Sequence, residues 1–277
     1  MNAPDGPIVN KPQLDLLYTS YNSRKWVHPD PLEYLYHYPD LRDREIAGLI
    51  ASSLAYGRVS YILRSVSVVL KEMGPSPYEF LRLETASSLE QTFLDFRHRF
   101  TTGKELAQML TGIKDVIERF GSLYACFFAG LRQDHETVFP ALSFLVKNLR
   151  VAFDGHRHSL LPLPEKGSAC KRLNLFLRWM VRKDNVDPGG WRGVGPSRLI
   201  IPLDTHMHRI CALLKLTNRK SSDMRTAIAI TCAFSQMEPR DPVRYDFALT
   251  RLGIRNDADI GTFLKRCNNV HLKRRGQ

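Results

Sequence analysis

Residues 200–210 read Ile-Ile-Pro-Leu-Asp-Thr-His-Met-His-Arg-Ile and place one acidic residue, Asp204, at the start of an apolar helical pattern. The proline two residues earlier disfavours helix before this point, and aspartate is a preferred N-cap residue. Ile210 and Leu213 then recur at helical spacing. We therefore predict a helix that begins at Asp204, with backbone N–H groups directed at its carboxylate. From these residues alone, a role in capping only and a role in a reaction are both open.

Apolar residues recur at helical spacing on both sides of this stretch. The segments that show the pattern are 46–54, 59–73, 106–117, 138–149, 173–180, 224–231 and 245–252. Thr102 and Glu105 form a capping box, and Asp241-Pro242 predicts the start of the last helix, which Gly253 ends. Tyr18 to Pro31 mix aromatic, basic and proline residues, which is typical of loops. No segment sustains a period of two, so we predict an irregular all-α protein.

The composition favours a polyanionic partner. The chain has 277 residues, which is enough to bury a large core, and we treat residues 1–277 as one unit. Its 40 Lys and Arg against 28 Asp and Glu give a net charge of +12, as expected of a nucleic-acid-binding protein. No window approaches about eighteen uninterrupted apolar residues, and the start lacks a basic-then-apolar signal pattern. We therefore expect a cytoplasmic protein with no membrane partner.

The cysteines and histidines indicate neither a disulfide framework nor a metal site. The five cysteines are odd in number and widely scattered, and no Cys-x-x-Cys pair occurs. His206 and His208 are two residues apart, which directs them to different sides of a helix instead of at a shared ion. We therefore expect no metal and no cofactor.

A second candidate for chemistry is Lys171, which follows the turn Pro164-Glu165-Lys166-Gly167-Ser168-Ala169-Cys170 and opens the next helical pattern. A lysine in the first turn of a helix lies near the positive end of the helix dipole, and Arg172 adds another cation. These neighbours favour the free amine that a nucleophile forming a Schiff base requires. A solvated basic turn that contacts phosphate explains the same residues, and this alternative is open.

The arrangement Gly167-x-x-x-Lys171, followed by Leu203-Asp204-Thr205-His206-x-x-Arg209, resembles the helix-hairpin-helix superfamily of DNA glycosylases. The segment from Asp241 to Gly253 resembles the closing region of the archaeal 8-oxoguanine DNA glycosylase branch. The stretches KRLNLFLRWMVRKDNVDPGGW (171–191) and LIIPLDTH (199–206) resemble, more closely still, a bacterial family of unknown function that is related to that branch. The resemblance implies that Lys171 is the catalytic nucleophile and Asp204 the catalytic aspartate.

The resemblance also implies a two-lobed fold with the active site in the cleft between the lobes. Lobe one, with the hairpin, covers about residues 40–183, and lobe two covers about residues 1–39 and 197–277. The turn Tyr56-Gly57-Arg58 matches the family's first interhelical connection, so Tyr56 and Arg58 are candidate DNA contacts. Gly167 and Arg172 are candidate contacts in the hairpin, although this chain lacks the family's second hairpin glycine.

Three more residues are candidates for recognising the base. Trp179 and Trp191 are aromatic rings on which a flipped base could stack, although Trp179 also fits a simple core position. Asp246 could accept a hydrogen bond from a purine edge. A local ion pair of Asp246 with Arg244 or Arg251 is the alternative.

The implied function is that of a base-excision-repair DNA glycosylase that also has AP lyase activity. It would act as a monomer on double-stranded DNA that contains a damaged base, and it would associate with the nucleoid through that DNA. It would remove an oxidised purine such as 8-oxoguanine through a lysine Schiff base. Lys183, in the glycine-rich loop 182–196, is a rival nucleophile. A non-catalytic nucleic-acid-binding protein on the same helical scaffold and a related enzyme acting on RNA are the alternatives.

Overall fold

The computed structural model describes residues 7–151, 153, 158–254 and 260–275. The chain in these ranges is mainly α-helical, as the sequence predicts, and one short antiparallel hairpin pairs β1 (Arg97–His98) with β2 (Thr101–Thr102). The helices are α1 (Lys11–Tyr21), α2 (Leu41–Ser53), α3 (Val59–Met73), α4 (Pro77–Leu83), α5 (Ala86–Thr92), α6 (Gly103–Phe120), α7 (Leu123–Ala129), α8 (Phe139–Leu149), α9 (Lys171–Val181), α10 (Thr205–Leu213), α11 (Met224–Ser235), α12 (Asp246–Ile254) and α13 (Ile260–Arg275). Short 3-10 turns cover Arg24–Trp26, Pro31–His37, Pro164–Lys166 and Pro196–Arg198. Among the described residues, no helix is both long enough and apolar enough to cross a membrane.

The helix boundaries follow the local signals in the sequence. The predicted capping box at the start of α6 is confirmed, because Thr102 accepts the N–H of Glu105 and the Glu105 carboxylate accepts the N–H of Thr102. Gly121 ends α6 with φ +88°, a left-handed conformation that glycine adopts without steric cost. The helices predicted over the segments now assigned to α2, α3, α8 and α9 are also confirmed.

Two predictions towards the ends of the chain need correction. Tyr18 to Pro31 were predicted to be loop-rich, which holds from Asn22 to Asp30 apart from the 3-10 turn Arg24–Trp26, but Tyr18 to Tyr21 belong to α1. This helix begins with a capping box formed by Asn10 and Gln13. The last predicted helix does not begin at Asp241-Pro242. Its first residue is Asp246, because the Asp241 carboxylate pairs with the Arg182 side chain instead of capping the helix. Gly253 lies inside α12 and does not end it.

Helix α9 occupies the centre of the protein. It packs along α2, and its side chains Phe176, Leu177, Trp179 and Met180 are completely buried. The turn after α9 returns to it, since the N–H of Gly189 donates to the Trp179 carbonyl. Because α9 is fixed along its whole length, its first residue has a defined position.

A buried ion-pair network crosses the core beside α9. Arg178 pairs with Asp187 and with Asp246, and Arg182 pairs with Asp187 and Asp241. Each of these charged groups except Asp241 is almost inaccessible to water. Buried charges are tolerated only when they are paired and hydrogen-bonded, so the network fixes α12 relative to α9.

Candidate active site

Lys171 and Asp204 meet at the N-terminal ends of two helices. The Lys171 Nζ lies 3.2 Å from the Asp204 Oδ2, and the two side chains are 33% and 36% exposed. Cys170, just before α9, has φ +47°, which turns the chain sharply and leaves Lys171 as the first helical residue. Asp204 is the N-cap of α10 and accepts the Met207 N–H at 2.8 Å, as the sequence predicts.

The Asp204 carboxylate is held in its charged form. Partial burial on its own would raise the pKa of Asp204, but the Lys171 ammonium and the Met207 N–H together lower this pKa below its usual value. The carboxylate is therefore an anion at neutral pH. An anion fixed by a helix N-terminus and a lysine is suited to stabilising positive charge that develops nearby.

The pair faces a cavity of about 600 Å³, which is within the usual size range of small-molecule sites. Its walls come mainly from five parts of the chain that are distant in sequence. They are residues 29–31, residues 55–57 with Val59 between α2 and the start of α3, the start of α9 (168–172), residues 202–204 before α10, and α12 (246–251). Both polar and apolar side chains line the cavity, so it can orient a ligand as well as enclose it.

The inner part of the cavity carries charged groups that are already paired. Asp246 is bonded to Arg178, while Arg251 donates to Asp30 at 2.6 Å and stacks on the Phe247 ring at 4.3 Å. Burial raises the pKa of the Asp246 carboxyl, although the Arg178 guanidinium opposes this shift. The partner of Asp246 is therefore Arg178, and the predicted local pair with Arg244 or Arg251 is wrong.

Arg172 and Tyr56 form the wall beside Lys171. The Arg172 guanidinium donates to the carbonyls of Ser53 and Ser159 and lies 4.9 Å from the centre of the Tyr56 ring. Burial lowers the pKa of Arg172. Both residues line the cavity, and Arg172 also ties α9 to the end of α2.

The other predicted site residues lie elsewhere. Trp179 is fully buried in the core, and the Trp191 indole N–H donates to the Glu45 carboxylate at 3.0 Å. Neither ring lines the cavity, because α9 directs Trp179 into the core and Trp191 packs near the opposite end of α9. Lys183 lines a separate pocket with Trp191. We therefore no longer expect Trp179 or Trp191 to stack on a base in this cavity.

Arg58 and Gly167 lie near the cavity but do not line it. Arg58 is exposed at the start of α3. Gly167 has φ +82°, and its carbonyl accepts the Met224 N–H at 3.1 Å. This bond attaches the turn before Lys171 to the start of α11.

Several cavity residues were not predicted from sequence. Asp30, Phe247 and Arg251 reach the cavity from segments far from the Lys171 and Asp204 motifs, and Arg178 reaches it from two turns further along α9. Asp30 has a local signal in the sequence, because Asp-Pro is typical of the start of a helical turn. Its side chain caps the turn Pro31–His37 by accepting the Leu32 N–H. Within the described part of the chain, no three His, Cys, Asp or Glu side chains are arranged to hold a metal ion.

The geometry before Lys171 also differs from a helix-hairpin-helix motif. Only a three-residue 3-10 turn, Pro164–Lys166, precedes α9, and Ser168 pairs with Asp223 as an isolated β-bridge. Prolines 162 and 164 disfavour an α-helix over this segment. The first helix of such a hairpin is therefore not formed directly before Lys171.

Comparison with known proteins gives one family. The model of DUF2400, described as a protein of unknown function, matches residues 30–255, and no model of the helix-hairpin-helix glycosylases matches. No curated protein and no solved structure matches the chain significantly. The predicted membership of the helix-hairpin-helix glycosylase superfamily is therefore wrong. The match covers most of the 277 residues, and the chain belongs to the DUF2400 family.

Proposed function

We propose that the protein is a DNA glycosylase with AP lyase activity, which removes an oxidised purine such as 8-oxoguanine from double-stranded DNA. The observation that carries this proposal is the Lys171–Asp204 pair, with 3.2 Å between Nζ and Oδ2, beside a cavity of about 600 Å³. An amine next to a fixed carboxylate is the combination that a Schiff-base mechanism at a sugar carbon needs.

The reaction begins when a damaged nucleotide leaves the duplex and enters the cavity, at a cost of a few kcal/mol that is smallest for a damaged or mispaired base. The lone pair of the Lys171 amine, after loss of one proton, forms a bond to the C1′ atom of the deoxyribose. The electrons of the glycosidic bond leave with the base, which takes up a proton. Opening of the sugar ring then gives a protonated imine between Lys171 and C1′.

Strand cleavage follows from this imine. Loss of a proton from C2′ and departure of the 3′ phosphate oxygen with its bonding electrons give β-elimination, and water then releases the lysine. Asp204 relays the proton that the Lys171 ammonium gives up to the departing base, and its carboxylate, again an anion, stabilises the positive charge on the sugar. Its position at the start of α10 keeps the carboxylate oriented during both steps.

The charge of the chain supports a DNA partner. A net charge of +12 neutralises phosphates, and binding that depends on such neutralisation weakens steeply with added salt. The cavity is lined both by the segment 55–59 and by the segments 202–204 and 246–251. We therefore propose two lobes, about residues 40–183 and about residues 1–39 with 197–277, with the substrate base between them.

Borohydride trapping tests the proposal directly. Hydride reduces the protonated imine to a stable amine, so the protein becomes covalently attached to a duplex that contains 8-oxoguanine or an abasic site. We expect wild type to be trapped and Lys171→Gln not to be trapped. Lys183→Gln is the matched control, because Lys183 lies in the separate pocket near Trp191, and it should be trapped like wild type.

Three results would contradict the proposal in whole or in part. Wild type that traps on no member of a lesion panel would indicate a binding protein without the reaction. Trapping by Lys171→Gln would assign the amine to another residue. Preferential trapping of an RNA duplex over its DNA equivalent would change the substrate class, because the 2′-hydroxyl distinguishes the two.

A further inference from the structure

The hairpin formed by β1 and β2 carries an exposed aromatic ring next to the cavity. Phe100 lies at its tip and is 63% exposed, which is unusual for a large apolar side chain. Its ring stacks on Tyr56, with centroids 5.0 Å apart and an interplanar angle of 26°. Tyr56 in turn contacts the Arg172 guanidinium at 4.9 Å. A chain of stacked groups therefore leads from the residue beside Lys171 to solvent.

The hairpin tip is firmly anchored. The Tyr56 hydroxyl donates to the His98 carbonyl at 2.9 Å and shares a 2.6 Å hydrogen bond with the Thr101 hydroxyl. The His98 ring is bonded on both nitrogens, to the Ser65 hydroxyl and to the Tyr56 carbonyl. Because the backbone on each side of Phe100 is fixed, the exposed ring is already in place to receive a ligand, which reduces the entropy cost of binding.

The surroundings of Phe100 are basic. Arg99 has φ +54°, a conformation rarely adopted by a residue with a long side chain, and its side chain packs over Gly57 at the cavity edge. Arg58 is exposed on the next turn. Neither arginine has an ion-pair partner among the described residues. Glu105, the acidic group near Tyr56, is bonded to Thr102 and Ser159 and does not neutralise them.

Exposed apolar residues complete this edge. Tyr61 is 56% exposed and Val59 is 37% exposed, both on the first turns of α3. An exposed ring on the same edge as arginines without ion-pair partners is a combination suited to binding nucleic acid, because bases stack on the ring and phosphates contact the cations. An acidic peptide would use the arginines but would gain little from a bare phenyl ring.

We propose that Phe100 is a stacking platform for an unpaired base of a nucleic acid strand that enters the cavity, with Arg99 and Arg58 holding its phosphates. This proposal rests on the proposed function for the identity of the strand, since the base next to a flipped nucleotide loses its stacking neighbour. Phe100 then replaces that neighbour.

The experiment uses 2-aminopurine, whose fluorescence is quenched when it stacks on an aromatic ring. The probe is a DNA duplex with 2-aminopurine beside an abasic site, titrated with the full-length protein. We expect wild type to quench the probe. Phe100→Ala should abolish the protein-dependent quenching and weaken binding by about fivefold to 150-fold, the range found for loss of one base–aromatic stack.

Two variants control for side effects. Phe100→Trp keeps an aromatic face and should retain quenching and affinity. Leu83→Ala removes another exposed apolar side chain, on α4 and outside the cavity, and should behave like wild type. Thermal melting of each variant confirms that the fold is intact, which is expected because Phe100 is exposed.

The outcomes separate this proposal from the proposed function. If Phe100→Ala quenches and binds like wild type, the stacking platform is overturned, whatever the result of borohydride trapping. If quenching depends on Phe100 while wild type traps on no lesion, the platform is supported and the glycosylase reaction is not. Equal loss of affinity for the duplex in Phe100→Ala and Leu83→Ala would also overturn the platform.

Discussion

The two carboxylate oxygens of Asp204 face different partners: Oδ2 lies 3.2 Å from the Lys171 Nζ, and Oδ1 accepts the Met207 N–H at 2.8 Å. One oxygen therefore caps α10, and the other is available for chemistry. Capping and catalysis, which the sequence presents as alternatives, are compatible in this geometry. The cap holds the oxygen that faces Lys171 in position.

Substitutions at Asp204 should separate these two roles. Asparagine is as good an N-cap as aspartate, so Asp204→Asn should keep nearly the wild-type stability. It removes the negative charge, and we expect lesion excision to fall by about a hundredfold to a thousandfold. Asp204→Ala should lose the activity and also about 1 kcal/mol of stability, because the cap is removed. Single-turnover excision and urea unfolding measure the two effects.

Asp40 provides a matched control for the capping role. It caps α2 by accepting the Arg42 N–H at 2.8 Å and does not line the cavity. Asp40→Ala should lower stability by an amount similar to Asp204→Ala, with no loss of excision by the folded protein. Full excision activity in Asp204→Asn would show that Asp204 acts only as a cap.

The local part of the site could be predicted from sequence, because its signals are local. A helix N-cap is set by residues within one turn, so Asp204 and the Thr102–Glu105 capping box were both found. The contact between Lys171 and Asp204 needs two helix starts that are 33 positions apart in sequence to meet. Residue spacing alone does not fix such a meeting.

The residues that close the cavity could not be predicted for the same reason. Asp246 pairs with Arg178, 68 positions away, whereas a reading along one helix suggests Arg244 or Arg251. Trp179 carries an aromatic ring of the kind that stacks on bases, but the orientation of α9 directs this ring into the core. Which side of a buried helix faces a cavity depends on packing against all its neighbours.

The buried network around Arg178 should dominate the stability of the cavity wall. Arg178→Met leaves the Asp246 carboxylate buried without its cation and removes one of the two cations of Asp187. We expect a loss of about 3–5 kcal/mol in the free energy of unfolding, the usual cost of an uncompensated buried charge. Urea unfolding at pH 7 measures it.

An exposed arginine pair provides the comparison. Arg82 pairs with Glu79 on the surface of α4, with both side chains at least half exposed. Arg82→Met should cost less than about 1 kcal/mol, because surface pairs gain little in water. Similar losses in Arg82→Met and Arg178→Met would contradict the argument from burial.

Glu45 should make stability depend on pH. Its buried carboxylate accepts N–H groups from Leu123, Tyr124 and Trp191, but burial outweighs these bonds and raises the pKa of Glu45 from 4.5 to about 7. Between these values the folded protein keeps a proton that the unfolded chain releases. The stability that protonated Glu45 contributes is therefore fully present below pH 4.5 and is lost as pH rises towards 7. The free energy of unfolding falls by at most about 3 kcal/mol over this range.

The test compares unfolding free energies of wild type and Glu45→Gln from pH 4.5 to pH 8. The amide does not titrate, so the variant should lack the fall in stability that Glu45 causes, although it is less stable overall because the amide disturbs three hydrogen bonds. Glu79→Gln, at an exposed position, should keep the wild-type pH profile. Parallel profiles for wild type and Glu45→Gln would rule out this titration.

Arg99 and Phe100, both at the tip of the β1–β2 hairpin, should affect nucleic-acid binding in different ways. Each phosphate contact releases counterions and adds about 0.9 to the magnitude of the slope of log K against log salt for duplex DNA. Arg99→Gln removes one such contact and should reduce the slope by about one. Phe100→Ala removes stacking, which releases no counterions, and should lower K equally at every salt concentration.

Arg42→Gln is the control for this prediction. The Arg42 side chain already pairs with Asp40, so its replacement should leave the slope unchanged. Fluorescence anisotropy between about 50 and 200 mM salt measures these slopes, and a slope that changes in Phe100→Ala but not in Arg99→Gln would contradict the division of roles.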